Sequence, residues 1–354
     1  MQHTEHSLSS IESGQLPKVG KLQYVHDEQP GWKRKRLRKT FQYLDLDGKP
    51  LRDAAHIARI KSLAIPPAWT DVWICAQANG HIQATGRDAK GRKQYRYHTR
   101  WRELRDDMKY ENMISFGMHL PMIRKKVARD LTEAGLTRDK VIATIIFLLE
   151  KTMIRIGNDE YAHHNKSYGL TTLRNRHLDI QGADLLFHFV GKSKVEHRIS
   201  LHDPKLARIV KQIKELPGQE LFQYMDGDGQ RHKINSADVN EYLQEITGEQ
   251  YTAKDFRTWA GTLQTTIALA QFQQFENMTQ AKSNVVLAIN AAAKKLGNTP
   301  TICKKCYVHP GIIQSYMSGE LFPLIVNKQL ESANKNELSE MEQCVITLLR
   351  DAAK

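Results

Sequence analysis

The sequence predicts an α+β fold in two parts, a small β-rich N-terminal domain and a larger, mainly α-helical one. Three observations point there. Up to Tyr97, short strand-like segments are punctuated by tight-turn pairs such as Asp47-Gly48 and Asn79-Gly80. Beyond Tyr97, apolar residues recur at helical spacing, with strand-like interruptions from Leu170 to Leu201 and from Phe222 to Ile234. The 354 residues can bury a sizeable core without disulfides, and 40% hydrophobic residues with 21 Gly and 11 Pro exclude collagen-like, low-complexity and wholly disordered chains.

Taken in order, residues 1–20 are polar and lack periodicity, so they are expected to be disordered. Residues 21–105 form the β-rich N-terminal domain. Phe41 to Leu46 reads as a strand running into Asp47-Gly48, Ala54 to Leu63 as a helix that stops before Pro66-Pro67, and Val72–Cys75 and His81–Thr85 as strands joined at Asn79-Gly80. Residues 106–325 form the second domain. Thr137 can cap a helix from Arg138 to Ile154. Strands between Leu170 and Leu201 turn at Arg174-Asn175, at Gln181-Gly182 and from Gly191 to Lys194. A hairpin is expected around Asp226 to Gly229. Trp259, Leu263, Ile267 and Ala270 share a helix face expected to be core, and a helix from Val285 to Leu296 ends at Gly297. Residues 326–354 read as a helical tail with Leu338, Met341, Val345 and Leu348 on one face, packed on the second domain.

The longest apolar run, Val141 to Leu149, is far shorter than the roughly 18 residues a membrane span needs. The N-terminus lacks a signal-peptide pattern, so a cytoplasmic location is expected, on the nucleoid. Cys75, Cys303, Cys306 and Cys344 are no disulfide framework and read as reduced thiols; Cys303-Lys-Lys-Cys306 has no second pair to complete a zinc site. Asp45-x-Asp47-Gly48 and Asp226-Gly-Asp228-Gly229 lack the further ligands of a calcium loop and read as turns. His163 and His164 are sequence neighbours that point apart. No metal and no cofactor is expected.

Charge carries more information. Lys and Arg number 52 against 39 Asp and Glu, a formal excess of +13, which attracts polyanions. One basic run spans Lys33 to Lys39. A second runs from Arg87 to Arg105 and is interleaved with Tyr95, Tyr97, His98 and Trp101. Cations for phosphates mixed with planar groups for bases or sugars are the composition of a nucleic-acid surface.

Phosphodiester transfer without a metal needs a nucleophile, a proton donor for the leaving oxygen and cations around the developing charge. Four stretches can supply them: Ile154-Arg155-Ile-Gly-Asn158; Phe189-Val-Gly191-Lys192-Ser-Lys194; Lys254-Asp-Phe-Arg257-Thr-Trp259; and Gly297-Asn298-Thr-Pro with Lys304-Lys305-Cys-Tyr307. Each is weak alone. Their order and spacing carry the signal.

In these stretches, and in Phe41 to Gly48, Ile65-Pro-Pro-Ala-Trp69 and Gly86 to Tyr95, the chain resembles the type IB DNA topoisomerases of the poxvirus-like and bacterial group, over about residues 21–325. The resemblance implies a C-shaped clamp on double-stranded DNA, a catalytic fold shared with tyrosine recombinases, and a monomer. It matches Tyr307 to the nucleophile, Arg155 and Arg257 to the phosphate-binding arginines, and Lys192 to the hairpin general acid. Asn298 falls at the fifth catalytic position, where viral members carry His and bacterial ones Asn. Gln94, Tyr95 and Tyr97 match N-terminal DNA contacts and Tyr161 a phosphate contact; Lys90, Arg92, Lys93 and Lys254 are read as further DNA-binding residues. The viral enzymes have lysines where this chain has Asn158 and Glu160, so their strict sequence preference is not carried over.

These roles suit the chemistry. A free phenol ionises only near pH 10, so it needs cations beside it. An arginine fork matches two phosphoryl oxygens. A lysine on a hairpin can protonate the leaving 5′ oxygen. The implied activity is relaxation of supercoiled DNA through a 3′-phosphotyrosyl bond, without ATP or metal. A tyrosine recombinase is the nearest alternative, but recombinases usually carry His where this chain has Lys254, and a helical N-terminal domain. A non-catalytic DNA-binding protein would explain the charge but not the ordered constellation.

Overall fold

The computed structural model describes residues 18–19, 22–38, 40–89, 91–272, 274–326 and 336–352. The protein is a mixed α/β chain with an N-terminal β-sheet and a helical region. It divides into two compact units, 1–110 and 111–354. Lys90 and residues 1–17 lie outside the described residues.

In the first unit, β1 (Lys18–Val19) pairs with β2 (Leu22–Gln23), so pairing begins inside the segment expected to be disordered. Then come β3 (Trp32–Arg36), β4 (Phe41–Leu44), α1 (Ala54–Ser62), β5 (Thr70–Ile74), β6 (Ile82–Arg87) and β7 (Lys93–Tyr97). Strands β3 to β7 make one antiparallel sheet in the order β4-β3-β5-β6-β7. Trp32, Ile60, Val72, Ile74 and Ala84 form its core. Asp45 and Asp47-Gly48 make the expected turn, but only an isolated Leu44–Pro50 bridge follows, since proline cannot donate to a ladder; β4 pairs with β3 instead.

The basic runs are not uniformly a solvated face. Arg34 donates to the carbonyls of Ile65, Pro66 and Trp69 at 3.2, 3.0 and 2.7 Å, and so shapes the double-proline loop. Arg96 donates to the Ala64 carbonyl at 2.8 Å. Both guanidinium groups serve the fold.

The boundary between the units falls within α2 (Thr99–Asp130). The second unit continues with α3 (Arg138–Thr152), α4 (Asp159–Asn165), β8 (Leu178–Gln181), β9 (Asp184–Val190), β10 (Glu196–His202), α5 (Pro204–Lys214), β11 (Gln223–Met225), β12 (Arg231–Lys233), α6 (Ser236–Thr247), α7 (Ala253–Ala270), α8 (Met278–Leu296), α9 (Pro300–Tyr307), α10 (Pro310–Met317), α11 (Leu321–Val326) and α12 (Glu340–Ala352). Helix α3, capped by Thr137 as expected, is buried from Lys140 to Ile146 and at Leu148 and Leu149. It stops two residues early, because Met153 turns left-handed at φ 56°. Strands β8, β9 and β10 form an antiparallel sheet with β9 central. The stretch from Leu170 to His177 is two 3₁₀ turns rather than strand. There the Leu170 and Thr171 amides donate to the carbonyls of Arg155 and Ile156 at 2.8 and 2.7 Å and are lost to any ladder.

Helix α7 packs against α3, α8, α9 and α12. Of the face expected to be core, only Trp259 is buried; Leu263, Ile267 and Ala270 are half-buried. The buried positions include Thr258, Thr262, Thr265 and Thr266. Thr265 and Thr266 donate back to the carbonyls of Gly261 and Thr262 at 2.8 and 3.0 Å, which removes the penalty for burying a hydroxyl and leaves small side chains at the contact. Among the described residues, no helix is long and apolar enough to cross a membrane.

The burial of His177 should make the second unit acid-sensitive. Its ring is 8% exposed and packs on Tyr168, and its Nδ1 accepts the Arg174 amide at 3.1 Å. Burial, then the charges of Arg176, Arg174 and His188, push its pKa down from 6.5 to about 4. Between these values the unfolded chain binds the proton and the folded one does not, so stability is intact above 6.5 and falls as pH drops. His177→Asn keeps an acceptor but cannot titrate. Urea unfolding at pH 7.5 and 5.0 should show it losing less stability than wild type, by about 2 kcal/mol; parallel losses would contradict this role.

Candidate active site

The ends of three helices meet in the second unit. Helix α3 gives way to an extended segment carrying Arg155, α7 starts with Arg257 in its second turn, and α8 ends at Leu296 and its cap Gly297, with Asn298 next. Gly297 adopts φ +59°, which glycine takes without strain. Arg257 is 4% exposed and donates to the carbonyls of Met153 and, at 2.8 Å, Leu296. Arg155 donates to the Gly297 carbonyl at 3.4 Å and to Oδ1 of Asn298. Both arginines thus grip carbonyls at helix C-termini, the ends that carry partial negative charge.

Neither arginine has a carboxylate partner among the described residues. Burial, then the charge of Arg155, pushes the pKa of Arg257 down to about 10, with Tyr307 acting in the opposite sense. Burial also lowers Arg155, again opposed by Tyr307. Both remain cations at neutral pH. Two donors here are buried without a hydrogen-bond partner, Nε of Arg257 and Nδ2 of Asn298. The amide orientation follows from chemistry: a guanidinium only donates, so Arg155 must meet the oxygen, which leaves the NH₂ group as the orphaned donor. Cations with no carboxylate partner among the described residues, beside orphaned donors, have the chemistry to hold an anion.

Tyr307 ends α9, with the Arg257 guanidinium 5.3 Å from its ring centre. Its backbone is seated on α7. Thr262 donates its hydroxyl to the Tyr307 carbonyl at 3.1 Å and accepts the His309 amide at 3.0 Å. Gly261 permits the approach, since a Cβ there would lie 2.5 Å from that carbonyl oxygen. Sequence reasoning missed Gly261 and Thr262; their small size was the one available signal.

Lys192 lies at the β9–β10 tip, exposed, and its ammonium has no hydrogen bond or ion pair among the described residues. Ser193 and Lys194 beside it are left-handed at φ 63° and 62°, a cost of about 1 kcal/mol each for such residues. Lys192 shares a cleft of about 280 Å³ with Arg155, Gly157, Asn158, Tyr161 and Tyr168. The fold therefore joins Arg155, Arg257, Asn298 and Tyr307 directly, and brings Lys192 and Tyr161 to the same cleft as Arg155. Lys254 is exposed one turn before Arg257.

The remaining candidates belong to the first unit. On edge strand β7, Tyr95 and Tyr97 stack with ring centres 5.9 Å apart, and the Lys93 ammonium sits 5.7 Å from the Tyr95 ring. Lys93 also pairs with Asp27 at 2.8 Å. Arg92 and Gln94 both bond Asp88 in the preceding turn.

Comparison with known proteins adds independent findings. Residues 98–321 match the family model of the eukaryotic DNA topoisomerase I catalytic core, and residues 40–88 that of the bacterial DNA topoisomerase IB N-terminal domain. The chain is 32% identical over 289 residues to the DNA topoisomerase 1B of Acanthamoeba polyphaga mimivirus, covering 80% of this chain and 86% of the relative. It is 26% identical over 272 residues to that of Vaccinia virus (strain Copenhagen), covering 72% and 80%. With DNA topoisomerase 1 of Schizosaccharomyces pombe the identity is 24% over 185 residues, 52% of this chain and 21% of the relative.

The seating of α9 on α7 is testable by itself. Gly261→Ala should destabilise the chain by about 1–3 kcal/mol in urea unfolding, because a methyl group must displace the Tyr307 backbone. Unchanged stability would mean that α9 does not rest there.

Proposed function

Because the chain belongs to the type IB DNA topoisomerases, we propose that Tyr307 is the nucleophile of a DNA relaxation reaction and that Arg155, Arg257, Asn298 and Lys192 serve it. The Tyr307 phenol oxygen attacks a backbone phosphorus and loses its proton. The bond to the 5′ oxygen breaks, and Lys192 protonates that oxygen as it leaves. A 3′-phosphotyrosyl bond and a free 5′-hydroxyl result. The free strand rotates, torsion is released, and the 5′-hydroxyl attacks the phosphotyrosyl phosphorus, returning its proton to Lys192 as the bond to the Tyr307 oxygen breaks and the phenol is restored with a proton from water. The phosphodiester energy is kept throughout, so no nucleotide is consumed.

The observation that carries this reading is the pair of half-buried Arg155 and buried Arg257, the latter against the Tyr307 ring, with no carboxylate among the described residues to neutralise it. The pair suits the extra negative charge of a five-coordinate phosphorus, and the unpartnered donors of Arg257 and Asn298 suit its oxygens. The Lys192 ammonium has no hydrogen bond or ion pair among the described residues and can close on the leaving oxygen.

The strip of Lys93, Tyr95 and Tyr97 supports a DNA-contacting role for β7, to which Arg92, Gln94 and Lys90 add, with Lys90 outside the described residues. Tyr161 and Lys254 take neighbouring phosphates. The units act together as a C-shaped clamp on the duplex, the second with the fold of tyrosine recombinases. The protein works as a monomer in the cytoplasm, on the nucleoid.

Negatively supercoiled plasmid in EDTA without nucleotide should be relaxed by the wild type and left unchanged by Tyr307→Phe. Asn298→Ala should slow relaxation by about 10²-fold, the usual loss for one preorganised donor. Relaxation by Tyr307→Phe at the wild-type rate would remove the nucleophile assignment. Duplex affinity should fall with salt at a log–log slope of about −0.9 per neutralised phosphate; a flat response would contradict the clamp.

A further inference from the structure

His197 is absent from every role assigned above, yet it sits at the join between the hairpin and the anion site. It lies on β10, five residues after Lys192, and pairs across the sheet with Phe189. The two rings stack at 5.0 Å with planes 15° apart. Two glycines enclose the imidazole. A Cβ on Gly191, at the base of the Lys192 tip, would lie 2.7 Å from Cδ2 and Nε2. A Cβ on Gly297, the cap of α8, would lie 2.6 Å from Cε1. One ring therefore touches both the backbone that presents Lys192 and the backbone that precedes Asn298.

Its surroundings differ from those of the other histidines on these strands. His188 pairs with Glu196 at 2.6 Å and His202 with Asp184 at 2.7 Å, both exposed. The His197 imidazole has no hydrogen-bond partner among the described residues. Burial, then the charges of Arg155 and Arg257, lower its pKa, so it remains a neutral plate beside two cations.

We propose that His197 is a positioning residue for DNA cleavage, a flat spacer clasped between Gly191 and Gly297 that holds the Lys192 hairpin in register with the Asn298 end of α8. This rests on the assignment of Lys192 as the acid that protonates the leaving oxygen. Without the ring, the base of the hairpin has a gap on the α8 side and the lysine loses its aim. A misplacement of about 1 Å at a reacting group is worth about 10²-fold in rate.

The test compares single-turnover cleavage of two duplexes, one with the natural 5′ oxygen at the scissile bond and one with sulfur in its place. A thiolate leaves without a proton, so the sulfur duplex bypasses the acid. His197→Ala should cleave the oxygen duplex about 10²-fold more slowly than wild type and the sulfur duplex within a few-fold of wild type. Lys192→Ala should show the same recovery, and Arg257→Ala should stay slow on both. His197→Phe, which keeps the plate, should restore cleavage of the oxygen duplex to within a few-fold. Equal slowing of both duplexes by His197→Ala, unchanged oxygen cleavage, or failure of His197→Phe to restore it would overturn the inference while Lys192→Ala still recovers. If Lys192→Ala itself does not recover on sulfur, the acid assignment fails and the positioning role with it. If wild type cleaves neither duplex, the cleavage mechanism is what fails.

Discussion

Two guanidinium groups held at the C-terminal ends of α3 and α8 set the terms for the rest of the second unit. Arg257 ties the Met153 carbonyl to that of Leu296, and Arg155 continues the tie to Gly297 and Asn298. Placing two like charges together, one buried and one half-buried, is costly unless something answers them. Here the answer is partial: helix-end carbonyls rather than carboxylates. They hold the cations in place without cancelling them, and the residual charge suits a phosphate. A carboxylate partner would have stabilised the empty protein more and the DNA complex less.

Around that point the packing is built from small residues. The threonines of α7 bond to their own helix and present little bulk, and Gly261 and Thr262 fix the backbone of Tyr307 from below. The tyrosine is placed by main-chain contacts, which leaves its ring half-buried against Arg257. Lys192 is the opposite case. It stands exposed on a tip with two left-handed residues, where it can move toward a substrate.

Much of this was legible in the sequence. Turn pairs, the Thr137 cap and the Gly297 stop are local signals, and they fell where local chemistry puts them. The order of Arg155, Arg257, Asn298 and Tyr307 pointed to one cluster, and the fold brings them together. The misses share one cause, contacts made at long range. Nothing local says that Arg34 and Arg96, deep in basic runs, turn to loop carbonyls. Periodicity alone selected Leu263, Ile267 and Ala270 as the inner face of α7, whereas the fold buries the threonines, whose hydroxyls bond to carbonyls. The role of Gly261 depends on a residue 46 positions away, and that of His197 on two glycines in different elements.

The proposed reaction depends on one site joining a charged cradle to one phenol. Its most direct test is peptide mapping by mass spectrometry of the protein trapped on a duplex that loses its 5′-hydroxyl fragment after cleavage. The predicted result is a nucleotide 3′-phosphate attached to Tyr307 in the peptide that follows Lys305. Attachment to any other side chain, or no covalent product from a wild-type protein that binds the duplex, would contradict it.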